Sequence, residues 1–213
     1  MLLIFDWDGT LSDSTGLITR AMQQSAEDLG WTVPDDKAVH NIIGLGLPEA
    51  LVTLFPAIDE QGRGQIRDRY RENYLREDKL CPPVLFPGVM ETLTRLREDG
   101  HQMAIATGKS RVGLDRILKS MGLEQFFHAT RCADETASKP HPLMLHQLME
   151  ELSGAPKEAV MIGDTEYDMD MGRRASMARI AVSYGAHEIH RLHPYEPVLC
   201  MDQFGELLQW DRL

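Results

Sequence analysis

Short runs of apolar residues recur along the chain, and segments with helical spacing separate most of them. The runs are LLIF (2–5), MAIAT (103–107), FFHAT (126–130), AVMIG (159–163) and RIAVS (179–183). None of them alternates strictly between apolar and polar positions, which is typical of strands that are buried on both faces. The pattern therefore predicts an α/β fold with a doubly wound parallel sheet, whose crossover connections are helical and right-handed.

One long segment interrupts this alternation of strands and helices. Between residues 15 and 83 the spacing is helical, as in LITRAMQQSAEDLG and QIRDRYRENYLRE, and no convincing strand occurs. The prolines and the glycine of CPPVLFPG, residues 81–88, indicate the return to the sheet. We therefore predict an α/β core domain made of residues 1–14 and 84–213, with an inserted α-helical cap domain at residues 15–83.

Composition and charge narrow the class of protein. The 213 residues are 43% hydrophobic and 26% charged, as in ordinary soluble domains, and no apolar run is long enough to cross a bilayer. The formal net charge of −11 argues against a nucleic-acid or membrane partner. Three scattered cysteines suggest neither a disulfide framework nor a zinc site. We expect a cytoplasmic protein, and the sequence leaves its oligomeric state open.

Polar residues follow three of the predicted strands. Asp6 and Asp8 come directly after the first strand, Thr107 and Gly108 stand at the end of the second, and Asp164 follows the fourth. In an open parallel sheet, the carboxyl ends of the strands meet at one edge, where ligands bind. We therefore expect these side chains to converge, although Asp8 before Gly9 taken alone is equally typical of an ordinary turn.

Two further residues extend this group. Lys139 lies in SKPHP, ahead of the helix that leads into the fourth strand, and Asp168 follows Asp164 by one helical turn. Several carboxylates beside a lysine and a hydroxyl suit a hard divalent cation such as Mg²⁺ together with a phosphate group. The joint occurrence of these residues at successive strand ends predicts a site for a metal ion and a phosphorylated ligand.

The same residues resemble the four motifs of the haloacid dehalogenase superfamily. DWDGT, ATGK, SKPHP and GDTEYD occur in the family's order, and the resemblance covers nearly the whole chain. The helical insertion is similar to the small cap of the phosphoglycolate phosphatase-like members. The resemblance implies a Rossmann-like core and a Mg²⁺-dependent phosphatase that hydrolyses a small phosphorylated metabolite.

The resemblance also implies roles for the acidic residues. Asp6 would attack phosphorus and form an aspartyl-phosphate, and Asp8 would act as general acid and then as general base. The Mg²⁺ ion would be bound by the carboxylates of Asp6 and Asp164 and by the main-chain carbonyl of Asp8. Because Asp8 is present, a true dehalogenase, which lacks this second aspartate, is disfavoured.

The remaining motif residues would bind phosphate or support the site. Thr107, Gly108 and Lys139 would contact the phosphate oxygens, and Asp168 would lie outside the metal's own ligands, where it orients Lys139 or metal-bound water. Three alternatives stay open: a phosphomutase of the β-phosphoglucomutase type, a pyrophosphatase, and a non-catalytic module that binds phosphometabolites. Trp7, between the two aspartates, has no explanation at this level.

Overall fold

The chain alternates strands and helices except between residues 15 and 80, where only helices occur. The computed structural model describes residues 1–213. Its strands are β1 (Leu2–Phe5), β2 (Ser12–Asp13), β3 (Val84–Leu85), β4 (Gln102–Thr107), β5 (Ala129–Cys132), β6 (Ala159–Gly163), β7 (Ala178–Val182) and β8 (Leu199–Met201). Its α-helices are α1 (Thr15–Asp28), α2 (Asp36–His40), α3 (Leu47–Leu54), α4 (Glu60–Leu80), α5 (Val89–Glu98), α6 (Arg111–Ser120), α7 (Leu143–Glu151), α8 (Glu166–Arg174) and α9 (Ile189–Leu192).

Six parallel strands form the main sheet, in the order β5-β4-β1-β6-β7-β8. Strand β1 is central, and its last residue, Phe5, is paired with Ile105 of β4 and Ile162 of β6. The chain builds one half of the sheet from β4 and β5 and then crosses to the other side of β1 to add β6, β7 and β8. This reversal places a topological switch point beside β1, and ligands of such sheets bind at the carboxyl ends of the strands there. The predicted doubly wound α/β fold is confirmed.

Two strands of the main sheet differ from the sequence prediction, and the short strands β2 and β3 were not predicted. The strand predicted at residues 126–130 is found at Ala129–Cys132, because Phe126 and Phe127 belong to the preceding loop. The centres of their rings lie 5.5 Å apart in an edge-to-face arrangement, and both rings pack against the core. These apolar side chains therefore anchor the loop and do not belong to a strand. The edge strand β8 was not predicted, because three residues do not produce a recognisable pattern.

The sheet separates two apolar layers, and β1 contributes to both. Leu3 and Phe5 belong to one buried cluster, and Leu2 and Ile4 belong to the other, as the two-residue period of a strand requires. Trp7 continues the Leu3–Phe5 alternation beyond the end of the strand and is fully buried in the same cluster. This burial explains why a bulky residue stands between the two aspartates of DWD, because the indole of Trp7 anchors the loop that carries them.

Helices α1–α4 share an apolar cluster to which the chain after residue 83 contributes only Ala186. Helix α1 packs along α4, and buried residues such as Met22, Leu51 and Ile66 fill the space between the four helices. The two chain segments that connect these helices to the sheet run side by side, because β2 pairs antiparallel with β3. Residues 15–83 are called the helical segment below. No helix is both long and apolar enough to cross a membrane.

Candidate active site

Three buried carboxylates meet at the carboxyl end of the central strands. Asp6 follows β1, Asp164 follows β6, and Asp168 lies in the first turn of α8. Each can offer one carboxylate oxygen such that the three atoms lie within 4.8 Å of one another. The convergence follows from the parallel pairing of β1 with β6, which brings their carboxyl ends to the same edge.

Lys139 balances part of this negative charge. Its Nζ atom lies 2.7 Å from Oδ1 of Asp6 and 2.7 Å from Oδ1 of Asp168, and its side chain has no solvent exposure. Burial alone would lower the pKa of Lys139, but the charges of Asp168 and Asp6 raise it above its ordinary value. The lysine is therefore an ammonium ion that bridges the two carboxylates.

Asp168 is fixed by the start of its own helix. Its Oδ2 atom accepts hydrogen bonds from the backbone N–H of Thr165 at 3.1 Å and from the Thr165 hydroxyl at 2.6 Å. Thr165 in turn caps helix α8, which completes a reciprocal capping arrangement. Since Oδ1 contacts Lys139, both oxygens of Asp168 have protein partners.

Asp6 has one satisfied and one free oxygen. Its Oδ1 atom accepts the backbone N–H of Trp7 at 2.7 Å as well as the Lys139 contact, whereas its Oδ2 atom is buried without a partner. Burial raises the pKa of Asp6 well above its ordinary value; Lys139 opposes this shift, and Asp168 and Asp164 add to it. A buried carboxylate oxygen without a donor is costly unless a ligand completes it.

Both carboxylate oxygens of Asp164 accept hydrogen bonds from the protein. The Thr10 hydroxyl donates to its Oδ1 atom and the backbone N–H of Ala186 donates to its Oδ2 atom, both at 2.7 Å. Burial and the neighbouring Asp168 raise the pKa of Asp164 to about 7. The loop after β1 approaches this carboxylate at Gly9, where a Cβ atom would lie 2.2 Å from Asp164 Oδ2. Gly9 also has a φ of +79°, so both the turn and the close approach require glycine.

The donor set at this edge fits Mg²⁺. It offers only oxygen ligands, it carries more negative charge than Lys139 neutralises, and it contains the unpartnered Oδ2 atom of Asp6. A divalent cation beside Asp6 and Asp164 would complete that oxygen and would counteract the burial and the mutual repulsion that raise both pKa values.

Asp8 lies apart from the acid cluster and has different partners. Its Oδ1 atom accepts a hydrogen bond from the Ser14 hydroxyl at 2.5 Å and lies 2.9 Å from Nζ of Lys109. Its Oδ2 atom receives no protein donor, and the side chain is 11% exposed. One carboxylate oxygen of Asp8 is therefore held, and the other is available for a ligand or a proton.

Thr107 and Gly108 lie where β4 meets the helical segment. The Thr107 hydroxyl accepts the backbone N–H of Lys109 at 3.2 Å, and it donates to no protein acceptor. A Cβ atom at Gly108 would lie 2.6 Å from the carbonyl oxygen of Gly44 and 2.5 Å from that of Leu45. The Gly44–Leu45 turn of the helical segment therefore packs directly on the end of β4.

Further contacts hold the helical segment against the sheet edge. The Asn41 carbonyl accepts a hydrogen bond from the Tyr167 hydroxyl at 2.7 Å, and the Asn41 side chain accepts one from Arg191 at 2.7 Å. The backbone N–H of Gly46 donates to the Ser138 hydroxyl at 2.8 Å, next to Lys139. The helices thus cover the site rather than stand away from it.

Lys109 is the residue that the sequence analysis did not single out. It belongs to the ATGK motif, and a lysine two residues beyond a strand end was the available signal. Burial lowers the pKa of Lys109, but the charge of Asp8 raises it by more, so the net shift is upward. Lys109 is therefore an ammonium ion beside Asp8. The structure therefore adds a second, largely buried lysine–aspartate pair to the predicted one.

The family of the chain follows from comparison with known proteins. Residues 3–182 match the family model described as haloacid dehalogenase-like hydrolase. The chain therefore belongs to the haloacid dehalogenase-like hydrolases, which confirms the family resemblance and the prediction of a hydrolase.

Individual relatives within this family carry three different names. The chain is 34% identical to a probable phosphatase, IndB, of Dickeya dadantii, with 97% of this chain and 91% of that protein covered. It is 30% identical to a phosphoglycolate phosphatase of Colwellia psychrerythraea, with 97% of this chain and 95% of that protein covered. It is 29% identical to the pyrophosphatase PpaX of Bacillus cereus, with 97% of this chain and 94% of that protein covered. A solved haloacid dehalogenase-like hydrolase from Bacteroides fragilis superposes with a TM-score of 0.85 at 25% identity, covering 97% of this chain and 98% of that one.

Proposed function

We propose that this protein is a Mg²⁺-dependent phosphatase that hydrolyses a small phosphate monoester through an aspartyl-phosphate on Asp6. The observation that carries the proposal is the Asp6 carboxylate, which is buried beside Lys139 and two further carboxylates and keeps one oxygen without a protein partner. The names of the relatives support the same class of reaction.

The first step transfers the phosphoryl group to the protein. A carboxylate oxygen of Asp6 forms a bond to phosphorus while the bond from phosphorus to the ester oxygen breaks. Asp8 gives its proton to the departing oxygen, so the leaving group departs as an alcohol and Asp8 becomes a carboxylate. The Trp7 N–H and Lys139 limit rotation of the Asp6 carboxylate by holding Oδ1, which favours a productive approach.

The second step releases inorganic phosphate. A water molecule attacks phosphorus and passes a proton to Asp8 as the bond between phosphorus and the Asp6 oxygen breaks, which restores both side chains. The carboxylates of Asp6 and Asp164 and the main-chain carbonyl of Asp8 would hold Mg²⁺, which when bound would supply positive charge against the repulsion between phosphate and nucleophile.

Three residues complete the phosphate subsite in this proposal. The Thr107 hydroxyl, whose proton has no protein acceptor, and the backbone N–H of Gly108 donate to phosphate oxygens. The Lys139 ammonium adds a charged donor, and Asp168 orients that ammonium through the 2.7 Å contact. Asp168 thus acts through Lys139 rather than on the substrate.

Asp6→Asn is the direct test of the nucleophile. The amide keeps the size of the side chain but cannot form the acyl-phosphate bond, so we expect loss of p-nitrophenyl phosphate hydrolysis by at least a thousandfold with Mg²⁺ present. Asp13→Asn, an exposed carboxylate on β2, serves as the matched control. An Asp6→Asn variant with near-normal turnover would refute the mechanism, and wild-type protein without hydrolysis in Mg²⁺ would favour a non-catalytic binding role.

Pyrophosphatase activity is the second candidate, because relatives from three Bacillus cereus strains carry that name. A panel containing phosphoglycolate, sugar phosphates and pyrophosphate separates the candidates by kcat/KM. Release of inorganic phosphate from each compound measures hydrolysis, whereas a sugar phosphate isomer formed without phosphate release would identify a phosphomutase.

The same proposal includes the class of partner, the cellular location and the division of the chain into two domains. The partner is a small phosphorylated metabolite in the cytoplasm, supported by the net charge of −11 and by three unpaired cysteines. The division into a core (1–14 and 84–213) and a cap (15–83) is supported by the apolar cluster of α1–α4, which includes Ala186 as its one core residue, and by the β2–β3 pairing where the chain passes between the two parts.

A further inference from the structure

Asp8 is connected to the helical segment by a chain of polar contacts. Lys109 contacts Asp8 Oδ1 at 2.9 Å, and the same Nζ atom donates to the hydroxyl of Tyr74 at 3.1 Å. Tyr74 lies on α4, so this contact crosses from the helical segment to the loop after β4. One ammonium group therefore joins an insertion helix to the carboxylate that handles protons in the proposed reaction.

Tyr74 is itself held by the core. The Arg116 guanidinium of α6 lies 5.7 Å from the centre of the Tyr74 ring, and Arg116 forms an ion pair with Asp78, one turn further along α4. The ring and the carboxylate of α4 therefore dock together on α6. The position of the Tyr74 hydroxyl follows the docking of this helix.

The contacts of Asp8 show what the arrangement leaves free. Ser14 and Lys109 both contact Oδ1, which leaves Oδ2 as the oxygen that can carry the proton. Lysine has a flexible side chain, so the contact with Asp8 alone would not fix the position of the Lys109 ammonium. The Tyr74 hydroxyl gives the ammonium a second anchor and thereby restricts the carboxylate that it contacts.

We propose that Tyr74 is a positioning residue that acts through Lys109 to orient the Asp8 carboxylate toward the leaving group while α4 is docked. This inference rests on the proposed phosphatase function. General acid catalysis depends on a short, aligned contact between the acid and the departing oxygen. Loss of the second anchor should therefore weaken proton donation more than it weakens substrate binding.

Two substrates distinguish this role from simple docking. The proton from Asp8 matters for the strongly basic alkoxide of an alkyl phosphate, and it matters little for p-nitrophenolate, which departs without protonation. The ratio of kcat/KM is the right quantity, because it covers the steps through aspartyl-phosphate formation and excludes the later hydrolysis that the two substrates share. A merely structural defect would lower both values equally.

The experiment uses Tyr74→Phe, which keeps the ring and Lys109 and removes only the hydroxyl. For the alkyl phosphate of the metabolite panel that the wild type hydrolyses fastest, we expect kcat/KM to fall about tenfold or more, with less than a threefold fall for p-nitrophenyl phosphate. Lys109→Met should discriminate in the same direction, and the double variant should be no worse than Lys109→Met alone. Tyr195→Phe, a distant tyrosine on the core, is the control and should match the wild type on both substrates.

The outcomes are separable. Equal losses on both substrates, or no loss on the alkyl phosphate, would overturn the positioning role while leaving the phosphatase function intact. Additive losses in the double variant would also overturn it, because independent effects exclude action through Lys109. A wild type that hydrolyses neither substrate would overturn the proposed function and this inference together.

Discussion

Replacement of Lys139 by methionine tests the electrostatics of the acid cluster. Methionine has a similar length and no charge, so Lys139→Met leaves the carboxylates of Asp6 and Asp168 buried without their common counter-ion. We expect a large loss of folding stability that originates in charge rather than in lost volume.

The size of the loss follows from the two contacts. At 2.7 Å and an effective dielectric constant of about 20, each ion pair is worth roughly 6 kcal/mol before desolvation is counted. Burial of the ammonium offsets several kcal/mol of this sum, and removal of one partner from a buried pair typically costs about 3–5 kcal/mol. We therefore expect the free energy of unfolding to fall by about 3–5 kcal/mol at pH 8.

The destabilisation caused by Lys139→Met should depend on pH, and its direction follows from the protonation of the buried carboxylates. Lys139 opposes the upward shift of the Asp6 pKa, so without Lys139 that pKa rises further in the folded state, and the folded protein binds more protons than the unfolded chain above about pH 4. Protonation then relieves the repulsion at low pH, and the destabilisation grows as pH rises. The loss at pH 5 should be smaller than the loss at pH 8 by about 1 kcal/mol or more.

Urea denaturation in Mg²⁺-free buffer at pH 5 and pH 8 measures both effects. The control is Lys119→Met, an exposed lysine on α6 without an ion pair, which should stay within about 0.5 kcal/mol of the wild type. Adding Asp168→Asn to Lys139→Met removes one of the two stranded charges and should restore part of the stability. Wild-type stability for Lys139→Met, or a loss of equal size at both pH values, would refute the reasoning.

Three further predictions concern Mg²⁺ binding by the acid cluster, the contact of β4 with the helical segment, and the loop after β1. Because burial raises the pKa of Asp164 to about 7, Mg²⁺ must displace a proton at lower pH, and its affinity by calorimetry should rise about tenfold per pH unit from pH 5 to 7; a flat profile would contradict this. Gly108→Ala, whose Cβ would lie 2.5 Å from a carbonyl oxygen of the helical segment, should lower kcat/KM about tenfold or more. Gly64→Ala on α4, where a Cβ atom would meet nothing closer than 3.9 Å, should stay within about twofold. Trp7→Leu should reduce the free energy of unfolding by about 2–4 kcal/mol, measured by urea denaturation, and an unchanged midpoint would show that the buried indole does not anchor the loop.

The parts of the fold that the sequence predicted depend on local patterns. Continuous apolar runs identified β1, β4, β6 and β7 because strands buried on both faces need no polar alternation. The pairing of β2 with β3 has no local signal, since each strand has two residues and they are separated by the whole helical segment. Similarly, Phe126 and Phe127 resemble strand residues in isolation, and only the packed core shows that they anchor a loop.

The same distinction explains which site residues were predictable. Asp6 and Asp164 follow strands that are neighbours in the sheet, so the rule that parallel strands share a carboxyl edge was sufficient to bring them together. Lys109 also follows a strand, but its importance depends on Tyr74, which lies 35 residues away on α4 and reaches it only when the helices dock. Such a contact between two parts of a chain depends on their relative placement, which no periodicity encodes. The acid cluster is therefore a property of the sheet. Asp8 is held by Ser14 and Lys109, which lie outside the helical segment, and only the contact of Tyr74 with Lys109 depends on the docked helices. Variants at Tyr74 should therefore change proton transfer without disturbing the carboxylates around Lys139.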